Sequence, residues 1–395
     1  MFRPGGKTPA RKQAMGREVE RLQYRGTFIR VDLGAIARNA ETLAASVAPA
    51  RMMAVVKANA YGHGLVPVAQ TAVAHGASWL GVALPEEGEN LRASGIREEI
   101  LVLGAVNEKG AAASVRFGLT QTVFDSQRVI WRERAAREQG RIARVHLKCD
   151  TGMGRIGVRD GHELKAVLSA LADAPHVRLT GAFTHFADAD GDWPDYTLSQ
   201  IAAFERMRKM LPPGLLIHAA ASAAGARYPQ ARYDMVREGI LLYGCQPAAG
   251  CPKVEPALSW HTEIVYVKEI PAGACVSYGC TYRADTPRRI ATLPVGYGDG
   301  YHRALSGRAQ VLIGGVRCPV VGRVCMDQLM VDVTALPETE TRIGAPAVLL
   351  GRQGTQEITA EELAAWADTI SYEMLLAATA RVPILYQRQT AKPGA

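Results

Sequence analysis

Residues 54–64 read Ala-Val-Val-Lys-Ala-Asn-Ala-Tyr-Gly-His-Gly, and this stretch decides how the first large part of the chain is interpreted. Its apolar run is typical of the end of a buried strand, and the run stops at one lysine, Lys57. Burying a charged amine is costly, so most lysines at such a position turn into solvent. A lysine that stays partly desolvated loses its proton readily and can attack a carbonyl group. From these residues alone, both interpretations of Lys57 remain open.

The chain on either side of this stretch alternates apolar runs rich in β-branched residues with Ala-rich amphipathic runs. Eight strand-plus-helix units between residues 27 and 256 predict a (β/α)8 barrel, an α/β fold in which chemistry lies at the C-terminal ends of the strands. The predicted strands are residues 27–33, 52–57, 78–82, 99–103, 120–124, 142–148, 178–184 and 215–219.

Two further regions flank the predicted barrel. Residues 257–395 hold short apolar runs punctuated by Pro and Gly, which predict a C-terminal, mostly-β domain. Residues 1–26 carry seven Lys or Arg against two Glu, and they are interpreted as a basic N-terminal extension. The predicted domains are therefore the extension 1–26, the barrel 27–256 and the β domain 257–395.

Composition narrows the function classes. The chain has 395 residues, 48% of them hydrophobic, with a net charge of +8, yet no basic stripe interleaved with aromatics suggests a nucleic-acid partner. No apolar window approaches the eighteen residues of a membrane span, and the nine histidines show no metal-binding spacing. Seven cysteines without a C-x-x-C motif, and no hydrophobic leader, indicate reduced thiols in a cytoplasmic protein.

Eight segments, in order between residues 54 and 375, closely resemble the alanine racemase family. That family consists of pyridoxal phosphate (PLP) enzymes with a barrel followed by a β domain. The matching segments are AVVKANAYGHG (54–64), HLKCDTGMGRIGV (146–158), FTHFA (183–187), MVREGILLYG (235–244), VSYGCTY (276–282), LPVGYGDGY (293–301), VGRVCMDQLMVDV (321–333) and SYEML (371–375).

The resemblance implies a two-base reaction. Lys57 matches the lysine that carries PLP as a Schiff base and serves one face of the substrate α-carbon, and Tyr278 matches the base of the opposite face. A free tyrosine has a pKa of about 10, too high for an efficient base at neutral pH. His185 and Arg237 match the residues that supply a hydrogen-bond relay to that tyrosine.

Arg237 matches the arginine that faces the pyridine nitrogen of PLP. A guanidinium does not readily give up its proton, so the ring nitrogen would stay unprotonated and transamination would be disfavoured. The residues alone also allow a plain ion pair between Arg237 and Glu238 or Asp234, and this alternative stays open.

The resemblance also implies a binding site for cofactor and substrate. Arg155 resembles the arginine near the phenolic oxygen of PLP and the substrate carboxylate, and Lys148 matches a lysine that is carbamylated in some members. Met326 matches the residue whose backbone N–H meets the substrate carboxylate, and Tyr297 resembles a gate that favours small amino acids. Many members have Asn where Ala221 stands here. The residues that match the phosphate cradle are Tyr61, Ser222, Gly239, Ile240 and Tyr372.

The implied function is interconversion of L-alanine and D-alanine, which would supply D-alanine for peptidoglycan. The implied assembly is a homodimer with shared active sites, to which Tyr278 and Met326 reach from the second subunit. Three alternatives compete with this function. A PLP carrier would lack residues 257–395, a PLP decarboxylase would place an acid where Arg237 stands, and a racemase of serine, lysine or a broader range depends on pocket shape.

Overall fold

The computed structural model describes residues 25–387 and divides into two units. One unit is Gly34–Glu255, and the other combines the described residues up to Leu33 with those from Pro256 onward. The boundary at Pro256 lies next to the predicted one. Residues 1–24 lie outside the described range, so the predicted basic extension of residues 1–26 stays almost wholly a prediction.

Strand β1 (Phe28–Asp32) belongs to the β unit and not, as predicted, to the barrel. It pairs antiparallel with the strand that begins at Leu258 and parallel with the strand that begins at Ile384. Its side chains alternate, because Ile29 and Val31 are buried while the residue between them is exposed. That alternation is typical of a strand with one face on a core. The predicted start of the barrel at residue 27 is therefore corrected to Gly34.

Eight parallel strands form the barrel, in the order β8-β7-β6-β5-β4-β3-β2-β9. A bridge between Ala221 and Arg237 joins the two ends of this sheet and nearly closes it. Strand β9 is absent from the predicted set because Arg237 and Glu238 interrupt its apolar run. The strands are β2 (Arg51–Val55), β3 (Ala77–Val82), β4 (Glu99–Val102), β5 (Thr120–Val123), β6 (Ala143–Lys148), β7 (Val177–Phe183), β8 (Leu216–His218) and β9 (Met235–Glu238).

Three of the barrel helices begin at a short polar side chain that caps them. Asn107, Asp125 and Asp160 each accept a hydrogen bond from a first-turn backbone N–H, a contact worth about 1 kcal/mol. The helices are α1 (Leu33–Val47), α2 (Lys57–Tyr61, a left-handed turn), α3 (Leu65–Ala74), α4 (Pro85–Ala93), α5 (Glu108–Arg116), α6 (Ser126–Glu138), α7 (Gly161–Ala172), α8 (Pro194–Arg208) and α9 (Ser222–Arg227).

The β unit is built on a sheet in the order β16-β15-β18-β10-β1-β20, with β19 paired to β18. A second sheet has the order β11-β14-β17, and β12 with β13 forms a hairpin. Helices α10 (Ala360–Ala367) and α11 (Ser371–Leu376) complete the unit. Its remaining strands are β10 (Leu258–Glu263), β11 (Tyr266–Ile270), β12 (Cys275–Val276), β13 (Tyr282–Arg283), β14 (Arg288–Leu293), β15 (Gln310–Ile313), β16 (Val316–Pro319), β17 (Leu329–Asp332), β18 (Pro346–Gln353), β19 (Gln356–Ile358) and β20 (Ile384–Gln387).

No helix within residues 25–387 combines the length and the hydrophobicity that a membrane crossing requires. The same residues contain no group of three or more His, Cys, Asp or Glu side chains placed to hold a metal ion.

Candidate active site

Lys57 stands at the start of a strained turn that follows strand β2. Residues 58–61 have φ angles between 52° and 54°, the left-handed region, although none of them is glycine. Each such residue costs about 1–2 kcal/mol, so the turn depends on contacts that hold it. Glu87 accepts a hydrogen bond from the backbone N–H of Ala58 at 2.6 Å, and Asn59 Oδ1 accepts one from Leu65 at 2.9 Å. These contacts hold the turn in one conformation, and the turn in that conformation sets the direction of the chain at Lys57.

Tyr61 closes this turn against the barrel. Its ring stacks on Tyr243 with 4.6 Å between centroids, and the Tyr243 hydroxyl donates to the carbonyl oxygen of Val55 at 2.9 Å. Burial raises the pKa of Tyr61 to about 12. Tyr61 therefore remains a neutral phenol at neutral pH, and its hydroxyl can donate a hydrogen bond to an anion.

Four basic side chains, Lys57, Lys148, Arg155 and Arg237, influence one another at the C-terminal mouth of the barrel. Burial and then Arg155 lower the pKa of Lys57, Arg237 lowers it further, and Glu87 opposes them. Lys148, at the end of β6, is almost fully buried, and desolvation followed by the charges of Arg237 and Arg155 lowers its pKa to about 7. Its Nζ lies 4.5 Å from the centroid of a phenylalanine ring. Such a concentration of positive charge suits an anionic ligand.

Arg237 lies buried on β9, and its partners are oxygen and nitrogen acceptors of the barrel. Nη2 donates to the carbonyl oxygens of Ala219 and Thr184 at 2.6 and 2.9 Å and to Nδ1 of His185 at 3.1 Å. Nη1 donates to Nδ1 of His218 at 3.0 Å. Burial and then Arg155 lower its pKa to about 9, which leaves the guanidinium charged at neutral pH.

The alternative ion pair of Arg237 with its chain neighbours is wrong. The Asp234 carboxylate accepts the backbone N–H of Ile217 at 2.7 Å, and Glu238 is hydrogen-bonded to Ser222. Arg237 is therefore bound by neutral acceptors, which leaves its charge to be balanced by something other than these two carboxylates.

Two histidines that were not predicted as site residues, His218 and His146, extend the Arg237 contacts into the barrel. Burial and nearby positive charge hold the pKa of His218 well below its usual value, so its ring is neutral. A guanidinium only donates, so Nδ1 of His218 is unprotonated and its Nε2–H faces Nδ1 of His146 at 3.0 Å. Burial lowers the pKa of His146 to about 3. Because His146 precedes Lys148 by two residues on one strand, period-two alternation could have placed it on the same face.

His185, directly after β7, has a neutral ring for the same reason. Burial and then the charges of Arg237 and Lys148 hold its pKa well below its usual value. Its Nδ1 accepts from Arg237, so its Nε2–H is available to donate to another group. The predicted relay residues His185 and Arg237 are thus in contact, and the role of the relay remains a prediction.

Four of the five residues predicted to bind a phosphate, Tyr61, Ser222, Gly239 and Ile240, lie together near the start of α9. The backbone N–H of Gly239 donates to Ser222 Oγ at 3.0 Å, and Ile240 begins a one-turn 3₁₀ helix, Ile240–Tyr243. A Cβ atom on Gly239 would lie 2.9 Å from the Tyr61 hydroxyl, so any side chain there would crowd that hydroxyl. Next to this cradle, burial raises the pKa of the Glu238 carboxyl to about 7.

The remaining predicted site residues belong to the β unit. Tyr278, Met326 and Tyr297 expose 71%, 53% and 42% of their surface. Their loops adjoin, because Ser277 Oγ donates to the Arg323 carbonyl at 2.6 Å and the Tyr297 N–H donates to that of Cys325 at 3.0 Å.

The backbone that leads into Tyr278 is strained. Ser277 has φ 68° and ψ −176°, a conformation that is essentially restricted to glycine and costs about 1–3 kcal/mol. The contact of its hydroxyl with the chain at Arg323 offsets part of that cost. Tyr372 lies in the first turn of α11, and its predicted place in the phosphate cradle remains a prediction.

Comparison with known proteins identifies the family. The model of the alanine racemase N-terminal domain matches residues 31–247, and that of the C-terminal domain matches residues 257–386. The chain belongs to the alanine racemase family. An alanine racemase of Symbiobacterium thermophilum is 49% identical over 374 residues, which are 93% of this chain and 98% of that protein.

Solved structures with a similar fold agree with this assignment. A crystal structure of alanine racemase from Bacillus anthracis with bound L-Ala-P has a TM-score of 0.87 at 37% identity, over 93% of this chain and 96% of that one. A histidine racemase from Leuconostoc mesenteroides has a TM-score of 0.84 at 29% identity, over 92% and 98% of the two chains. The predicted family, the fold class and the isomerase activity of an alanine racemase are thereby confirmed.

Proposed function

We propose that this protein interconverts L-alanine and D-alanine, with PLP bound in the barrel and with Lys57 and Tyr278 as the two bases. The observation that carries the proposal is the electrostatics of the barrel mouth. There, a partly buried amine, Lys57, has its pKa lowered by burial and by the charges of Arg155 and Arg237. That arrangement favours the uncharged form of the Lys57 amine. The positive charge of the neighbouring arginines can be balanced by the phosphate of PLP and the carboxylate of the substrate.

The residues of the barrel fit PLP. Gly239 and Ser222 form a cradle that a Cβ atom would fill, and Tyr61, Ile240 and Tyr372 are proposed to complete the phosphate site. The Arg237 guanidinium would donate a hydrogen bond to the ring nitrogen without transferring its proton. Arg155 would lie near the phenolic oxygen. When bound, PLP draws electrons from the substrate and so acidifies its Cα–H bond.

Two bases on opposite faces of the α-carbon then account for racemisation. Lys57 can accept the proton on one face as a neutral amine and return it as an ammonium. Tyr278 can do so on the other face if its phenol approaches the Nε2–H of His185. The 3.1 Å contact with the Arg237 guanidinium polarises the His185 ring, so that its Nε2–H becomes a stronger hydrogen-bond donor. Such a donor would stabilise the phenolate of Tyr278 and lower its pKa.

A homodimer with shared sites is supported by the exposed residues of the β unit. Tyr278, Met326 and Tyr297 expose large apolar side chains on adjoining loops, and aromatic residues of this kind are typical of interface cores. We infer that the partner's barrel covers them, so that Tyr278 and Met326 complete a site in the other subunit. Tyr297 would restrict the entrance and favour a small side chain.

Lys148 is proposed to carry a carbamate. Its pKa of about 7 leaves much of the amine uncharged near neutral pH. An uncharged amine can add to carbon dioxide, which forms an N–C bond and releases one proton. The product is a carboxylate that would pair with Arg155 and hold it toward the substrate.

Alanine is the proposed substrate because the relatives named above are alanine racemases, whereas the histidine racemase shares the fold. A racemase of serine, lysine or a broader range therefore stays the second candidate. A PLP carrier is disfavoured, because residues 257–386 match the C-terminal domain of the family. We further propose a cytoplasmic enzyme whose D-alanine enters peptidoglycan.

The decisive experiment follows L-alanine with the purified protein and PLP in D₂O. Loss of optical rotation together with deuterium at Cα is the expected result, and the Lys57→Ala variant is the inactive control. Serine, lysine and histidine in the same assay rank the substrates. Retention of rotation and of Cα–H in alanine, despite bound PLP, would contradict the proposal.

A further inference from the structure

Two thiols enclose Tyr278 in the β unit. Cys275 lies in strand β12 and Cys280 ends the 3₁₀ helix Tyr278–Cys280. Both cysteines are free and exposed, and their side chains are in hydrogen-bond contact with each other. Tyr278, the proposed base, therefore lies within the six-residue segment 275–280, whose first and last residues are in contact through their thiol groups.

The backbone brings these thiols together. The residues lie in the hairpin of β12 and β13, in which Val276 pairs with Tyr282. Ser277, Gly279 and Cys280 all have positive φ angles, of 68°, 74° and 50°, which fold the loop back on itself. The hairpin loop is fixed at its start by the 2.6 Å hydrogen bond from Ser277 Oγ to the Arg323 carbonyl. The proximity of the thiols is thus a property of this loop.

Contact with Cys275 raises the pKa of Cys280, chiefly through the hydrogen bond between the two thiols. Once one proton leaves the pair, the remaining thiol can donate to the thiolate, and either sulfur can be the attacking one.

We propose that Cys275 and Cys280 form a peroxide-sensitive pair, and that its oxidation to a disulfide displaces Tyr278 and reversibly lowers racemase activity. The thiolate of one cysteine attacks one peroxide oxygen, the O–O bond breaks, and the leaving hydroxide takes a proton to become water. The sulfur of the other cysteine then attacks the sulfenic acid, forms the S–S bond and releases a second water. Two thiols and one hydrogen peroxide thus give one disulfide and two waters.

Closure of this ring acts on the tyrosine. A disulfide holds its Cα atoms about 4.4–6.8 Å apart with a dihedral angle of about 90°, which restricts all six residues. A misplacement of about 1 Å in a catalytic group can cost about 100-fold in rate. Cellular thiols would reopen the ring, as is typical of regulatory disulfides in reducing compartments. The effect on activity rests on the proposed function, whereas the disulfide itself does not.

The test uses the PLP-loaded full chain treated with hydrogen peroxide. Trypsin should release residues 269–283, which contain both cysteines, as a peptide that is lighter by two hydrogens. Racemisation should fall by about tenfold or more, and dithiothreitol should restore both mass and rate. Cys275→Ser and Cys280→Ser should abolish the closed peptide and the reversible loss. Cys251→Ser, which removes a partly exposed thiol of the barrel unit, should behave like the parent protein.

Two results would overturn the inference. One is a peptide 269–283 that stays reduced, or gains oxygen without ring closure, when other thiols are oxidised. The other is a closed peptide in a protein that racemises at an unchanged rate. If the untreated protein does not racemise alanine, the proposed function has failed instead, and the peptide mass still decides whether the modification site exists.

Discussion

The guanidinium of Arg237 donates to Nδ1 of His218 across 3.0 Å inside the barrel. Because arginine only donates, this contact requires an unprotonated Nδ1, and the low pKa of His218 agrees with a neutral ring. The position of Arg237 therefore depends on one histidine acceptor as well as on the carbonyl oxygens of Thr184 and Ala219.

Replacement of His218 by leucine should destabilise the protein and slow turnover. The variant leaves a buried charged N–H of Arg237 without its acceptor, a loss of about 1–3 kcal/mol. Urea unfolding measures the free energy, and kcat reports the position of Arg237. His218→Asn is the matched control, because its Oδ1 can accept near the position of Nδ1. Equal stability of the leucine and asparagine variants would show that the contact contributes little.

Replacement of Arg237 by glutamate should change the product ratio. A carboxylic acid can give its proton to the ring nitrogen of PLP, whereas the guanidinium keeps its own, and protonation there favours transamination. Pyruvate formed per alanine racemised should therefore rise in Arg237→Glu and stay low in Arg237→Lys. The ratio is measured by coupling pyruvate to lactate dehydrogenase. An unchanged ratio in the glutamate variant would argue against the assigned position of Arg237.

Replacement of Tyr278 by phenylalanine should separate hydrogen exchange from racemisation. The two enantiomers have equal free energy, so kcat/KM must fall equally in both directions. The asymmetry appears instead at Cα, because Lys57 can still exchange the proton of one enantiomer with D₂O and return it to the same face. Deuterium uptake with retained configuration should thus survive for one enantiomer alone. NMR and chiral chromatography measure both quantities, and equal uptake by both enantiomers would contradict the two-base assignment.

Replacement of Lys148 tests the proposed carbamate. In ¹³C-labelled bicarbonate the parent protein should show one carbamate carbonyl signal that Lys148→Ala lacks. Acidification should remove the signal, since the reaction with carbon dioxide needs the uncharged amine and its pKa is about 7. Lys165→Ala, which removes an exposed lysine on helix α7, is the control and should keep the signal. An identical spectrum for the Lys148 variant would refute the carbamate.

The barrel could be predicted from sequence because most of its strands are short, largely apolar segments that alternate with amphipathic helices. Strand β1 was misassigned, although the alternation of Ile29, Arg30 and Val31 favours a sheet with one exposed face. Strand β9 was missed because Arg237 and Glu238 are polar residues whose burial depends on partners from other strands.

The candidate active site likewise has features that could be predicted from sequence and features that could not. Lys57 and Tyr278 could be predicted because they lie in recognisable motifs. The left-handed turn at residues 58–61 could not, because it contains no glycine. Tertiary contacts such as that of Glu87 impose the turn, and local propensity does not reveal them. The contact of His146 with His218 likewise joins residues 72 positions apart, so the strand pattern shows a buried face but not the pair.

Replacement of Glu238 by glutamine should remove a pH-dependent penalty on stability. Burial raises the pKa of this carboxyl from 4.5 to about 7, so the folded state binds more protons than the unfolded state between these values. The stability that the protonated acid provides is fully present below pH 4.5 and is lost as the pH rises through about 7. At 1.36 kcal/mol per pH unit the penalty above that range is at most about 3 kcal/mol, and glutamine cannot incur it.

Urea unfolding of the cofactor-free proteins at pH 5 and pH 8.5 measures this penalty. The free energy of unfolding of the parent protein, minus that of Glu238→Gln, should become more negative at the higher pH. Effects of all other titrating groups cancel in that difference. Glu89→Gln, at an exposed position on helix α4, should give a difference that does not change with pH. A pH-independent difference for Glu238 as well would mean that its carboxyl is ionised, or solvated, in the folded protein across the whole range.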